Sequence, residues 1–166
     1  SFMVAEDDSV TVDVLGNDSD VDGNPLTITH VNGTAITDGG PAISVTNGTV
    51  ALVGGQLVFT PAANYHGPAS FTYTITDGSV SAVATVSGTV TPVNDAPVAS
   101  NDSFTVAEDG SILVDVLGND SDVDNALSVA TFTVQGVTGS FTAGQVATIA
   151  GVGTVTIAAN GDYSFT

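Results

Sequence analysis

Three aspartates at alternate positions, Asp18, Asp20 and Asp22, stand directly before Gly23, and the pattern recurs as Asp120, Asp122 and Asp124. Carboxylates at that spacing present several hard oxygen ligands on one loop, the chemistry that binds Ca2+. The run Asp18-Ser-Asp-Val-Asp-Gly23 matches the opening of an EF-hand loop, in which the glycine permits the turn. The rest of that loop does not follow. Its twelfth position is Thr29 instead of a bidentate glutamate, the second copy has Asn125 in place of the glycine, and strand-like sequence flanks both copies. The expectation is a calcium loop embedded in a β-domain, with a merely solvated acidic loop as the plainer alternative.

The other acids cluster too. Fourteen of the eighteen fall in short segments, the remaining ones being Glu6, Asp7 and Asp8, then Asp77, Asp95 and Asp102, then Glu108 and Asp109. Carboxylates a few ångströms apart repel by roughly 1 kcal/mol per pair even in a watery setting, and a hard dication relieves several such pairs at once. Glutamate occurs only at Glu6 and Glu108, each in an Ala-Glu-Asp context at equivalent places. If the first strand of a domain runs down from its linker, this turn lies at the bottom and the Asp-x-Asp-x-Asp loop at the top. The expectation is that Glu6 and Asp7, with Asn94, Asp95 and Asp102 of the connecting segment, share calcium with Asp120, Asp122 and Asp124. An ordinary Asn94-Asp95 turn and a solvated Glu6 form the alternative.

The elements that must position these acids are read from repetition and periodicity. Ser1–Asp22 laid on Ser103–Asp124 is identical at 18 of 22 positions, a tandem repeat whose period near 100 residues fits a whole small β-domain. Repeat 1 is placed at 1–95 and repeat 2 at 96–166, joined through the Pro92–Asp102 linker. Gly153–Thr166 corresponds to Gly48–Thr60, so repeat 2 is expected to be truncated, its last strands missing. Within a repeat, Phe71, Tyr73 and Ile75 alternate with threonines, and Val80, Ala82, Ala84 and Val86 alternate with Ser81, Val83 and Thr85. Further strands are marked by Val10, Val12 and Val14, by Leu26 and Ile28, by Val50 and Leu52, and by Leu57 and Phe59. Asn47-Gly48, Gly54-Gly55 and Asp77-Gly78 supply turns. Seven short strands per repeat and no helix predict an all-β, two-sheet sandwich.

Composition narrows the function. The chain carries no Lys, no Arg and a formal net charge of −18, which repels phosphate backbones and anionic membrane surfaces and excludes nucleic acid as a partner. Without cysteine it has neither disulfides nor thiolate metal sites. No apolar run approaches the length of a membrane span, so no membrane insertion is expected, and the sequence reads as a piece of a longer protein. Enzyme chemistry lacks a constellation. His30 continues the apolar phase of its strand, His66 sits alone in a Tyr-His-Gly turn, and a Gly-x-Ser-x-Gly nucleophile motif is absent. Phe2, Phe71, Phe104, Phe165 and Tyr73 read as core, and Tyr65 as a corner residue that bonds backbone.

The segments VDVLGNDSDVDG, ANYHGPASFTYTITDG and PVNDAPVA resemble the bacterial cadherin-like, tandem-95 type immunoglobulin-like repeats of giant repeats-in-toxin surface adhesins. The resemblance covers the whole first repeat and about two thirds of the second. It implies type I secretion, an extracellular place on the bacterial surface, calcium-dependent rigidity, and service as a non-enzymatic extender between an anchor and distal binding domains, with neighbouring repeats as partners. Asn94-Asp95-Ala96-Pro97 is also similar to the calcium-binding linker of animal cadherins, with fewer acids. Two other readings stay open: a subunit of a self-assembling extracellular filament completed by strand exchange with other copies, and a non-catalytic appendage of a secreted enzyme.

Overall fold

The computed structural model describes residues Ser1–Thr166, which form two compact units, Ser1–Val93 and Asn94–Thr166. Both are all-β apart from one 3-10 turn at Leu15–Asn17. No helix is long and apolar enough to cross a membrane.

The first unit has nine strands: β1 (Phe2–Ala5), β2 (Val10–Val12), β3 (Thr27–Val31), β4 (Thr34–Ala35), β5 (Ile43–Val45), β6 (Gly48–Val53), β7 (Gln56–Pro61), β8 (Gly67–Thr76) and β9 (Ser81–Thr91). Seven were expected; the short β4 and β5 carry too few alternating residues to register as strands. One sheet has the order β1-β9-β8-β3-β4 and the other β2-β7-β6-β5. Because side chains alternate along a strand, each sheet has one apolar face, and packing the two faces together builds the sandwich core. Strand β8 contributes Ala69, Phe71, Tyr73 and Ile75, β6 contributes Val50 and Leu52, and β7 contributes Leu57 and Phe59, all buried. At the centre the rings of Phe59 and Phe71 stack 6.1 Å apart, with Phe2 tilted 5.0 Å from Phe59.

The expected phase of β9 holds only in part. Ala84 and Val86 face the core, but Val80 and Ala82 are exposed, as is Val83. Val80 belongs to the turn instead of the strand: its N–H donates to the Asp77 carboxylate (2.7 Å) and its carbonyl accepts from the Thr76 hydroxyl (2.7 Å).

Tight turns are made by the residues suited to them. Asn47 and the Gly54-Gly55 pair all have positive φ, the backbone that two-residue hairpin turns require. Gly48 and Gly88 serve packing: a Cβ at Gly48 would overlap the Thr60 carbonyl and the Phe59 ring, and one at Gly88 would sit 2.6 Å from the Phe2 ring.

The second unit contains β10 (Ile112–Asp115), β11 (Thr131–Phe132), β12 (Phe141–Thr142), β13 (Val146–Ile149), β14 (Gly153–Ile157) and β15 (Asp162–Phe165). Its main sheet has the order β10-β15-β14-β13, and β11 pairs only with β12. Phe132, Ala147 and Val155 form its small buried core.

Phe59 is fully buried among aromatic partners, so Phe59→Ala is expected to destabilise the first unit by about 3–5 kcal/mol. Val83→Ala, on an exposed side chain, should change stability by no more than about 0.5 kcal/mol. Urea unfolding followed by hydrogen exchange at β7 and β8 amides measures both.

Candidate metal centre

Glu6 and the Asp18 and Asp77 carboxylates of the first unit fall at opposite ends of the β1-β9-β8-β3-β4 sheet. Strand β1 runs parallel to the last residues of β9, with Ala5 opposite Thr91, and the chain then turns at Glu6. The Glu6 N–H continues the ladder by donating to the Thr91 carbonyl (3.1 Å). Its side chain is buried at 3 % exposure, and Oε1 accepts from the Val93 N–H (2.7 Å). Oε2 is also buried but has no hydrogen-bond partner. The nearest ring nitrogen, His66 Nδ1, lies 4.0 Å away on the turn that enters β8. Burying a carboxylate oxygen without a hydrogen-bond donor is costly. Tyr65, one residue earlier, donates its hydroxyl to the Pro68 carbonyl (2.6 Å), the backbone-bonding role its position suggests.

At the other end of β8, Asp18 is held by a residue 55 positions away. The buried Tyr73 hydroxyl donates to Asp18 Oδ2 (2.8 Å). Burial, then the Asp18 hydrogen bond and charge, push the Tyr73 phenol up to about 12. Asp20 caps its own loop, its Oδ1 accepting from the Asp22 N–H (2.9 Å) and the Asn24 N–H (3.0 Å), while Gly23 takes positive φ. Asp77 does the same in the β8–β9 turn, accepting from Ser79 and Val80 N–H groups, and these bonds, Val80 first, hold its carboxyl below the usual value. Asp20 and Asp77 line one small groove.

In the second unit the acidic loop and the segment preceding it form one hydrogen-bonded cluster. Val98 and Ser121 make a β-bridge, the Ser100 N–H donates to Asp120 (2.7 Å), and the Asp95 N–H donates to Asp124 (2.7 Å). Asn125 bonds Asn94 (2.7 Å), and Asp122 Oδ1 accepts from the Asp124 and Asn125 N–H groups, repeating the Asp20 geometry. Asn94, Asp95, Asp120, Asp122 and Asp124 are thus tied into one segment through backbone N–H and amide bonds, with Asx turns fixing the loop. Asp102, Glu108 and Asp109 stand exposed outside this cluster, as does Asp7 in the first unit.

Residues 1–91 match the family model described as a bacterial Ig domain, over more than half of the chain. The chain belongs to the bacterial immunoglobulin-domain family. Residues 94–166 match the model of a bacterial cadherin-like domain, so the chain is a pair of bacterial cadherin-like, immunoglobulin-like repeats. Comparison with curated proteins and with solved structures finds no match for it.

Two features of these Ig repeats were not apparent from spacing. His66 reads as an isolated turn residue, yet it lies beside the buried Glu6 carboxylate. Tyr73 reads as plain core, and the hint to its second role was chemical: a buried phenol needs an acceptor, and Asp18 supplies one. Because the folded pKa of Tyr73 exceeds its ordinary value of 10.0, the unfolded chain ionises first. The Tyr73 contribution is therefore complete below about pH 10 and fades as pH rises through about 12. Tyr73→Phe should flatten the fall in stability over that window, as read by urea unfolding at stepped alkaline pH, and spectrophotometric titration should show one late-ionising tyrosine fewer in the variant, burial holding Tyr163 up as well.

Proposed function

We propose that this chain is an extender segment of a bacterial cell-surface protein, a non-catalytic run of repeats that calcium stiffens. The observation that carries the reading is the Glu6 carboxylate, buried with Oε2 lacking any donor in a chain that has no Lys and no Arg. His66 Nδ1 stands 4.0 Å off, on an exposed ring outside hydrogen-bond range, so the reading assigns an external cation to this oxygen. The donor sets are carboxylates and an amide with no thiolate, which fits a hard dication of the calcium type.

Two ligand groups are assigned, each within its own unit. Glu6 would hold an ion where β1 and β9 end, and Asp95, Asp120, Asp122 and Asp124, with Asn94, would hold ions on the acidic loop of the second repeat. Bound calcium supplies the charge that the clustered carboxylates lack. Oxygens already engaged by backbone N–H groups are pre-oriented, so ordering the loop costs less on binding. Stiffening follows from where the groups fall in sequence, on both sides of the short connection from Pro92 to Asn94. Asp7, Asp102, Glu108 and Asp109, exposed and outside these groups, are assigned as outer charges that attract calcium without ligating it.

A place between the anchor and the distal binding domains of a large secreted adhesin of the repeats-in-toxin class suits this chemistry. Outside the cell, calcium is present at levels that match sites of about 10⁻⁴–10⁻³ M affinity. The absence of cysteine leaves metal as the available staple, and the absence of Lys and Arg leaves no cleavage site for trypsin-like proteases.

The reading predicts calcium-dependent stability. Millimolar calcium at about 1–10 times such a Kd adds about 0.4–1.4 kcal/mol per site, which for a unit of this size raises the melting temperature by about 2–11 °C over chelator for each site filled. Glu6→Gln should remove part of that rise in the first unit, and the triple change of Asp120, Asp122 and Asp124 to Asn should remove it in the second. Melting curves that coincide in millimolar calcium and in chelator would refute calcium binding. Small-angle scattering with the same profile in both conditions would leave binding intact and overturn stiffening.

A further inference from the structure

The order β1-β9-β8 places the exit of β1 and the entry of β8 on either side of the last residues of β9. Ala5 lies opposite Thr91 and Gly67 opposite Val90, so Glu6, just beyond β1, and His66, just before β8, come to the same end of the sheet. The backbone that carries His66 is pinned on both sides. The Tyr65 N–H donates to the Ala62 carbonyl (3.1 Å), and its hydroxyl donates to the Pro68 carbonyl (2.6 Å). Between them Gly67 takes a φ of 131°, and a Cβ there would meet the Tyr65 hydroxyl at 3.0 Å. The His66 side chain itself is 56 % exposed and takes part in no hydrogen bond, so its ring is free to turn on a fixed stem.

Glu6 offers this ring one oxygen of its carboxylate. Oε1 is committed to the Val93 N–H (2.7 Å), which leaves the buried Oε2, without a donor, 4.0 Å from His66 Nδ1. That separation is too long for a hydrogen bond and suits a bridging ion. Zinc bonds to oxygen and to nitrogen of about 2.0–2.2 Å span about 3.4 Å in tetrahedral geometry and about 4 Å when the angle at the metal opens. A small rotation of the exposed ring covers the difference. One oxygen and one imidazole nitrogen is a poor donor set for calcium, which gathers six to eight oxygens, whereas nitrogen is an ordinary ligand of zinc and its transition-metal neighbours. In the other histidine, His30, Nδ1 lies against the Thr29 hydroxyl (3.0 Å) instead.

We propose that Glu6 Oε2 and the His66 imidazole form a site for a zinc-class transition-metal dication, completed by water ligands, that competes with calcium for the Glu6 carboxylate. The proposal rests on the reading of Oε2 as an oxygen that takes an external cation, and it names a second class of ion for that oxygen. An ion held this way ties the end of β1 to the start of β8 across β9, joining two segments that do not pair with each other in the sheet. The acidic loops, which offer oxygen ligands alone, have no part in it.

The test titrates zinc chloride into the full chain in millimolar calcium, which occupies the all-oxygen sites, and follows calorimetry together with the histidine ring signals in NMR. The chain holds two histidines, so each reports separately. The His66 ring signals are expected to shift saturably while those of His30 stay in place. Glu6→Gln, which keeps an oxygen for the Val93 N–H, should weaken zinc binding at least about tenfold. His66→Gln, on an exposed side chain, should abolish the calorimetric zinc step and leave the calcium-dependent rise in melting temperature unchanged. Zinc that leaves His66 unmoved, that shifts both histidines alike, or that binds Glu6→Gln as tightly as the parent overturns the proposal. The calcium reading fails separately. If Glu6→Gln leaves the calcium-dependent rise intact beside the expected zinc response, calcium is removed from Glu6 and the zinc site stands; if that rise is lost but zinc does not move His66, calcium keeps Glu6 and the zinc site falls.

Discussion

With no Lys and no Arg, the carboxylates of this protein have backbone N–H groups, hydroxyls, side-chain amides, two histidines or external ions as partners. That constraint shapes most of the local structure. Asp20, Asp77 and Asp122 fold back onto their own loops, Asp18 takes a tyrosine hydroxyl from across the sandwich, and Asp120 and Asp124 hold the backbone of the segment that leads into their repeat. These bonds align backbone dipoles on the carboxylates and leave the net charge unchanged. Glu6 is the position where such internal solutions stop, because its second oxygen is buried beyond the reach of any donor.

The core and the acidic ends are mechanically one object. Strand β8 carries Phe71 into the middle of the sandwich, Tyr73 toward Asp18 and, through its turn, Asp77 to the rim. Strand β9 returns to the other end, where its last residues are paired with β1 and its exit is fixed by Glu6. A change in how the hairpin packs is therefore felt at both sets of carboxylates, and a change in charge at either end acts on strands whose middle is fully buried.

Much of this was legible in the sequence, for reasons of range. Period-two alternation and the Asn-Gly and Gly-Gly turns are local signals, and they place β6, β7 and β8 well. The 18-of-22 match between the repeat openings makes the tandem organisation plain. The family resemblance agrees with the matches over both repeats. What local pattern could not supply were links made by folding: Tyr73 to Asp18 across 55 residues, and Glu6 to Val93 across 87. The phase error at Val80 and Ala82 has a similar origin, since the Asp77 turn claims Val80 through side-chain bonds that hydrophobic periodicity does not register.

The parallel pairing of β1 with the end of β9 bears on how the first unit carries force. Tension along the chain enters at Phe2 and leaves beyond Thr91, pulling two side-by-side strands in opposite directions along their length. The bonds between them are loaded together in shear, instead of opening one after another as in a hairpin pulled from its ends. Rupture must then break the whole ladder at once, with the Glu6–Val93 bond as its last rung, so the repeat resists stretching by geometry in addition to thermodynamic stability.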